Sequence, residues 1–218
     1  MPRPKPKAAA VQHPLLKSNL KQLRLPTMLA EHHKLAGEAA DANQDYLEYL
    51  LRLTELELQS RAANALQSRI RKAEFPVQKE LDSFDFSSAR SLSKPKVLEL
   101  SRGGWIDAHQ NCILVGSSGT GKTHLAIALG LAACRLGKRV RFFTAASLVQ
   151  KLEQAQQAYT LERLQNQLDK TDLLICDELG YLSFSRSGAE LLFQIFAVYL
   201  GLLFRLVQLM HLSYLLVY

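Results

Sequence analysis

The sequence predicts an α/β fold, a parallel sheet covered by helices, preceded by a helical N-terminal unit. Three observations carry this. Beyond Gly103 and Gly104 short apolar runs alternate with helical patterns; the run G-x-x-x-x-G-K-T, at Gly116, Gly121, Lys122 and Thr123, follows one of those runs and opens a helix; and the stretch from Asp41 to Ala73 repeats leucine at helical spacing. Strand and helix in alternation imply parallel strands joined by helical crossovers.

The elements follow in order. Residues 1–19 read as a basic flexible arm, Pro- and Lys-rich over 1–14. The first 30 residues hold six of the basic side chains (Arg3, Lys5, Lys7, Lys17, Lys21, Arg24) and no acid, so of the formal charge of +7 only +1 belongs to the rest. Such an arm attracts polyanions by releasing their counterions, which makes nucleic acid the first partner to consider; from charge alone a solvated, disordered tail is the alternative.

Residues 20–80 read as a helical N-terminal domain. Pro26 and Thr27 open one helix, and 41–73 gives a longer one, with Leu47, Leu50, Leu51, Leu58, Ala62, Leu66 and Ile70 at helical spacing. Pro76 closes it, because proline cannot continue the hydrogen-bond ladder. His32 and His33 are neighbours, so on a helix they point about 100° apart and do not converge on one metal. Arg61, Arg69, Arg71 and Lys72 either extend a nucleic-acid surface or simply solvate an outer face.

Residues 81–111 read as a linker and the start of the next domain, with Phe84 and Phe86 at alternate positions in a short extended segment that packs onto that domain. A helical pattern covers Pro95 to Arg102. Then come strand 112–115, helix 122–136, strand 139–144, helices 146–157 and 160–168, strand 172–177 and helix 187–198. Cys112, Cys134 and Cys176 each sit inside an apolar run with no C-x-x-C pairing, as small buried hydrophobes of a reducing compartment do. No apolar signal-peptide core follows the basic N-terminus, which places the protein in the cytoplasm.

In G-x-x-x-x-G-K-T the glycines let the backbone curl round an anion, and the helix that starts at Lys122 adds the partial positive charge of its N-terminus. Gly116, Ser117, Ser118, Gly119, Thr120, Gly121, Lys122 and Thr123 are therefore the candidate triphosphate cradle, with Lys122 for the β and γ phosphates and the Thr123 hydroxyl for Mg²⁺. Leu173 to Asp177 forms a second motif, an apolar strand ending in Asp177 and Glu178. There Asp177 can bind Mg²⁺, usually through water, and Glu178 can orient and deprotonate an attacking water. A base near the γ phosphate favours hydrolysis over transfer to a small-molecule acceptor.

With both motifs in hand, the chain resembles the IstB-type ATP-binding proteins of bacterial insertion sequences, a branch of the AAA+ ATPases related to DnaC-type helicase loaders. The resemblance is carried by LRLPTMLAEHHKLA (23–36), LDSFDFS (81–87), ILVGSSGTGKTHLAIALG (113–130), KRVRFFTAASLV (138–149), LLICDELGYLSF (173–184) and GAELLFQIFA (188–197). It implies a P-loop NTPase of AAA+ type over residues 112–198, using ATP and Mg²⁺, with Asp177 as the magnesium residue and Glu178 as the hydrolytic base. It further implies a protein that binds double-stranded DNA, assembles as a homo-oligomer when full length and assists a transposase. A helicase loader and a hydrolysis-deficient nucleotide-binding remnant stay open as alternatives.

After Ala197 the resemblance stops. Residues 199–218 are an apolar tail in which Arg205 is the one charged residue and Asn is absent, whereas the family implies further strands, a polar sensor residue and an arginine acting in trans. The change predicts a reading frame lost or interrupted near residues 197–199, C-terminal strands missing, and hydrolysis impaired. Charge-free stretches of 14 (191–204) and 13 (206–218) residues fall short of the roughly 18 that a membrane span needs, so no membrane association is expected.

Overall fold

The computed structural model describes residues 13–89, 92–179, 185–198 and 206–210, the last as a backbone course. Residues 1–12 of the expected arm, 180–184 of the second motif's flank and most of the apolar tail lie outside the described residues. The chain divides into two compact units between Ala65 and Leu66, inside one long helix.

The first unit holds α1 (Pro14–Gln22), α2 (Pro26–Asp41) and the first part of α3 (Tyr46–Ala73). Helix α1 corrects the expectation of a flexible arm to residue 19: Pro14 presets the backbone at the first helical position, and Leu20 gives the helix a buried side. Helix α2 starts on Pro26 behind Leu25, which has no capping side chain. The first N–H groups of a helix lack an intrahelical acceptor, and those of Thr27 and Met28 donate instead to Glu57 Oε2 of α3, at 2.8 and 3.0 Å. Glu57 Oε1 accepts from Arg61 Nε at 2.9 Å. These partners explain how a carboxylate can be only 3% exposed. The long helix begins at Tyr46 rather than Asp41, because Asp41 ends α2 and Asn43, with φ 49°, turns the chain. Of its expected leucine stripe, Leu47, Leu50, Leu51 and Leu58 are exposed, whereas Leu53, outside that stripe, is buried.

The second unit continues from the end of α3, whose Leu66 and Ile70 pack on its core. A 3-10 turn at Leu81–Ser83 is followed by α4 (Lys94–Ser101), α5 (Gly104–Asp107), β1 (Cys112–Val115), α6 (Lys122–Arg135) and β2 (Val140–Thr144). Then come α7 (Ala145–Gln157), α8 (Leu161–Leu168), β3 (Leu173–Asp177), α9 (Arg186–Val198) and β4 (Leu206–Met210). Among the described residues the strands form one parallel sheet in the order β1-β4-β3-β2.

Strand β4 overturns the expectation that no further strand forms after residue 197. It lies between β1 and β3, with Cys112 opposite Val207 on one side and Ile175 opposite Val207 on the other. The run LVQLM suits that place, because a central parallel strand is covered on both faces and reads as a nearly continuous apolar stretch.

The strand side chains alternate between two cores. Phe142, Leu173 and Ile175 join α6, Val97 and Trp105 on one face; Phe143, Leu174 and Cys176 join α7, α8 and α9 on the other. Helix α6 is apolar all round, KTHLAIALGLAACR, and is buried nearly all round, with Leu125 to Leu131 inaccessible. Gly130 makes this closeness possible: a Cβ there would stand 2.7 Å from Ile175 Cδ1 and 2.8 Å from Phe75 Cε1.

Candidate nucleotide site

The loop from Gly116 to Gly121 leaves the carboxyl end of β1 and turns into α6. Ser117 to Thr120 are exposed, Thr120 Oγ1 donates to Ser117 O at 2.9 Å, and Gly119 and Gly121 adopt φ of 77° and 86°. Those left-handed values are cheap only for glycine. They set the curl that turns the loop inward: Lys122 Nζ reaches back to donate to Gly116 O and Ser117 O, each at 2.7 Å. Partial burial lowers the Lys122 pKa, against an upward pull from the Asp177 charge.

The second motif meets the first through α6. Strands β1 and β3 are not adjacent, since β4 separates them. Thr123 bridges the gap, its Oγ1 donating to Asp177 Oδ2 at 2.8 Å. The other oxygen, Oδ1, accepts the backbone N–H of Glu178 at 2.8 Å. Asp177 is thus 6% exposed with both oxygens engaged. Glu178 is exposed and takes φ 64°, unusual for a residue with a side chain. All the expected site residues therefore gather at the carboxyl edge of the sheet, as ligand sites of open parallel sheets do.

Residues 80–86 form a strap over the first turn of α6 that the motifs did not announce. Phe84 lies against Gly121, where an added Cβ would come within 2.8 Å of its Cε2. Its ring stacks edge-on with His124 and with Phe86, at centroid distances of 5.2 and 4.9 Å. His124 Nε2 is 2.9 Å from Glu80 O and 3.3 Å from Ser83 Oγ. Arg135 at the far end of α6 pairs with Glu80 at 2.6 Å. The packing role expected of the two phenylalanines holds, and their target is the phosphate loop's own helix. The signal for His124 was its place directly after Thr123.

The three cysteines are buried and unpaired, and burial raises their thiols to about 12 for Cys112, about 11 for Cys134 and about 12 for Cys176. They stay protonated and inert.

A parallel sheet with a glycine-rich loop after its first strand, facing a buried aspartate at the end of another, defines a P-loop protein of AAA+ type. Among solved structures this chain is similar to AMPPCP-bound DnaA from Aquifex aeolicus, at 26% identity and a TM-score of 0.53, over 64% of this chain and 43% of that one. The chain belongs to the IstB-like ATP binding protein family, which it matches over residues 18–201. It is 36% identical to the ATP-binding protein of insertion sequence IS5376 from Geobacillus stearothermophilus over 81% of this chain and 70% of that relative. To the corresponding protein of IS21 from Pseudomonas aeruginosa it is 35% identical, over 81% of this chain and 66% of the relative. Among the described residues no helix is long and apolar enough to cross a membrane.

Proposed function

We propose that this protein binds Mg²⁺-ATP at the loop Gly116–Thr123 and, in that state, binds double-stranded DNA as a homo-oligomeric helper of a transposase in the cytoplasm. The observation that carries the nucleotide part is the bond from Thr123 Oγ1 to Asp177 Oδ2 at 2.8 Å. It joins a hydroxyl at the start of α6 to a carboxylate at the end of β3, the pair of oxygen donors that a magnesium ion shared with phosphates requires. Among the described residues no group of three His, Cys, Asp or Glu could hold a metal alone, which suits an ion that arrives with its phosphates and keeps much of its water.

Each residue then has a task. The loop amides and Lys122 hold the triphosphate; Thr123 and Asp177 hold the ion; Glu178, exposed beside Asp177, orients a water and accepts its proton. When bound, Mg²⁺-ATP supplies the phosphoryl group and the charge neutralisation for its transfer. The DNA and transposase part rests on membership of a family whose relatives are named for insertion sequences.

The test is titration of a fluorescent ATP analogue with Mg²⁺ into the wild type and Lys122→Ala, followed by duplex DNA binding with and without ATP. Lys122→Ala is expected to lose at least tenfold in affinity, about 1.4 kcal/mol or more, and DNA binding is expected to require ATP. Equal nucleotide affinity in the two proteins would refute the site.

A further inference from the structure

A second cationic site lies away from the nucleotide loop. At the amino end of the edge strand β2, a cavity of about 450 Å³ opens between the last turns of α3, the start of β2 and α8. Four cations line it, Arg69, Lys72, Arg139 and Arg141, together with Ser68 and Gln167, and no acidic side chain does. Leu164 and Gln167 of α8 are shared with a neighbouring concavity of about 360 Å³, whose cations are Lys151 and Arg163 and which again has no acidic lining residue. The two cavities thus make one groove along α8 carrying six positive side chains.

Some of these are held by bonds that fix their direction. Arg69 Nε donates to Cys134 O at 2.9 Å, Arg139 pairs with Asp172 at 2.9 Å, and Arg141 donates to Lys72 O at 2.6 Å and pairs with Glu74 at 3.2 Å. Lys151 also reaches Glu74, at 3.7 Å. Lys72 and Arg163 are exposed, and among the described residues their side chains make no hydrogen bond or ion pair. A row of anchored and free cations over an apolar floor of Val140 and Leu168 suits an anion that repeats along a line. A single phosphate would use one end of it and leave the other cations facing each other.

We infer that this groove along α8 is a binding site for the phosphate backbone of double-stranded DNA. The inference rests on the proposed DNA-binding function and locates it. The strands are parallel with the nucleotide loop at the carboxyl end of β1, and the first of the two cavities opens at the amino end of β2. No residue of the phosphate loop lines the groove.

Sliding non-specific contacts to phosphate release counterions, with log affinity falling by about 0.9 per log unit of salt for each contact. The experiment measures affinity for a labelled DNA duplex across a salt series, in the ATP-bound full chain, for wild type, Lys72→Ala/Arg163→Ala, and the control Arg71→Ala/Lys170→Ala. The control removes two exposed cations that do not line the groove. The groove variant is expected to lose about 2 from the salt slope and roughly 60-fold in affinity at 0.1 M salt, with ATP affinity unchanged. Arg163→Lys, which keeps the charge, is expected to keep the slope. Equal slopes in the groove variant and the wild type would overturn the groove while leaving DNA binding intact. A wild type that binds ATP but no duplex would overturn both.

Discussion

The contact between Gly121 and Phe84 gives a quantitative test of how the strap holds the phosphate loop. Gly119 and Gly121 share the left-handed backbone, with φ of 77° and 86°, so alanine at either costs about 1–2 kcal/mol in backbone strain. They differ in space: an alanine Cβ at 119 would meet nothing within 4 Å, whereas one at 121 would stand 2.8 Å from Phe84 Cε2 and 3.3 Å from its Cζ. Phe84 is 8% exposed and wedged against Phe86 and His124, so its ring cannot retreat freely. Overpacking of this kind adds about 1–3 kcal/mol, giving about 2–5 kcal/mol for Gly121→Ala against about 1–2 for Gly119→Ala. Urea unfolding followed by tryptophan fluorescence reads the difference as a lower midpoint at an unchanged slope; Trp105, the one tryptophan, lies in the same core. Adding Phe84→Leu is expected to recover much of the Gly121→Ala loss and none of the Gly119→Ala loss, a coupling that a double-mutant cycle isolates. Equal midpoints for the two glycine variants, with no coupling to residue 84, would refute the strap as a constraint on the loop.

Thr123→Val removes the donor to a buried Asp177 oxygen, and is expected to cost about 1–3 kcal/mol without ligand and to abolish the Mg²⁺ dependence of nucleotide affinity; calorimetry with and without the ion checks both. Glu57→Ala strips the N–H groups of Thr27 and Met28 of their acceptor, so hydrogen exchange at those two amides is expected to quicken by at least tenfold with little change around α6. The thiols of Cys112, Cys134 and Cys176, raised by burial to about 12, 11 and 12, are expected to ignore a thiol reagent at pH 8 until denaturant is added. Their folded-state values lie above the ordinary 9.0, so their contribution to stability is whole below pH 9 and is lost as the pH climbs from 9 toward 12; urea midpoints across that range test the sign.

Local pattern made the nucleotide site legible. The glycines of the loop, Lys122 and Thr123 act through backbone conformation and chain order, which sequence spacing records directly, and the apolar run ending at Asp177 had one place to go in a parallel sheet. What the pattern did not disclose depends on partners remote in sequence. Glu57 caps a helix 30 residues away, and nothing near Leu25 signals that its helix borrows a cap. His124 reads as one more residue of α6 until the strap at Glu80 and Ser83 is placed over it. Strand β4 escapes the pattern for a related reason: an uncharged apolar run looks aberrant beside family-like sequence, yet the run is also what a strand paired on both sides in a parallel sheet tolerates.

The same site also indicates why a ligand should tighten it. Asp177 is buried, and its two oxygens receive a neutral hydroxyl and a neutral amide, which are weaker partners for an acidic oxygen than a cation is. Lys122 is the nearby cation, and burial already weighs against its charged form; its ammonium is satisfied by the carbonyls Gly116 O and Ser117 O, which are dipoles rather than charges. Both side chains are thus positioned ahead of binding, Lys122 at some expense to the charged form of its ammonium. A triphosphate opposite Lys122 and a divalent cation opposite Asp177 each replace a dipole by a full charge of the right sign, so binding is strongest where the unliganded protein is least satisfied. The thermal midpoint should therefore rise with Mg²⁺-ATP concentration as mass action requires, by about 2.7 kcal/mol at one hundred times the dissociation constant, and the rise should shrink when either Lys122 or Asp177 is neutralised, since each substitution removes one of the two charges the ligand answers.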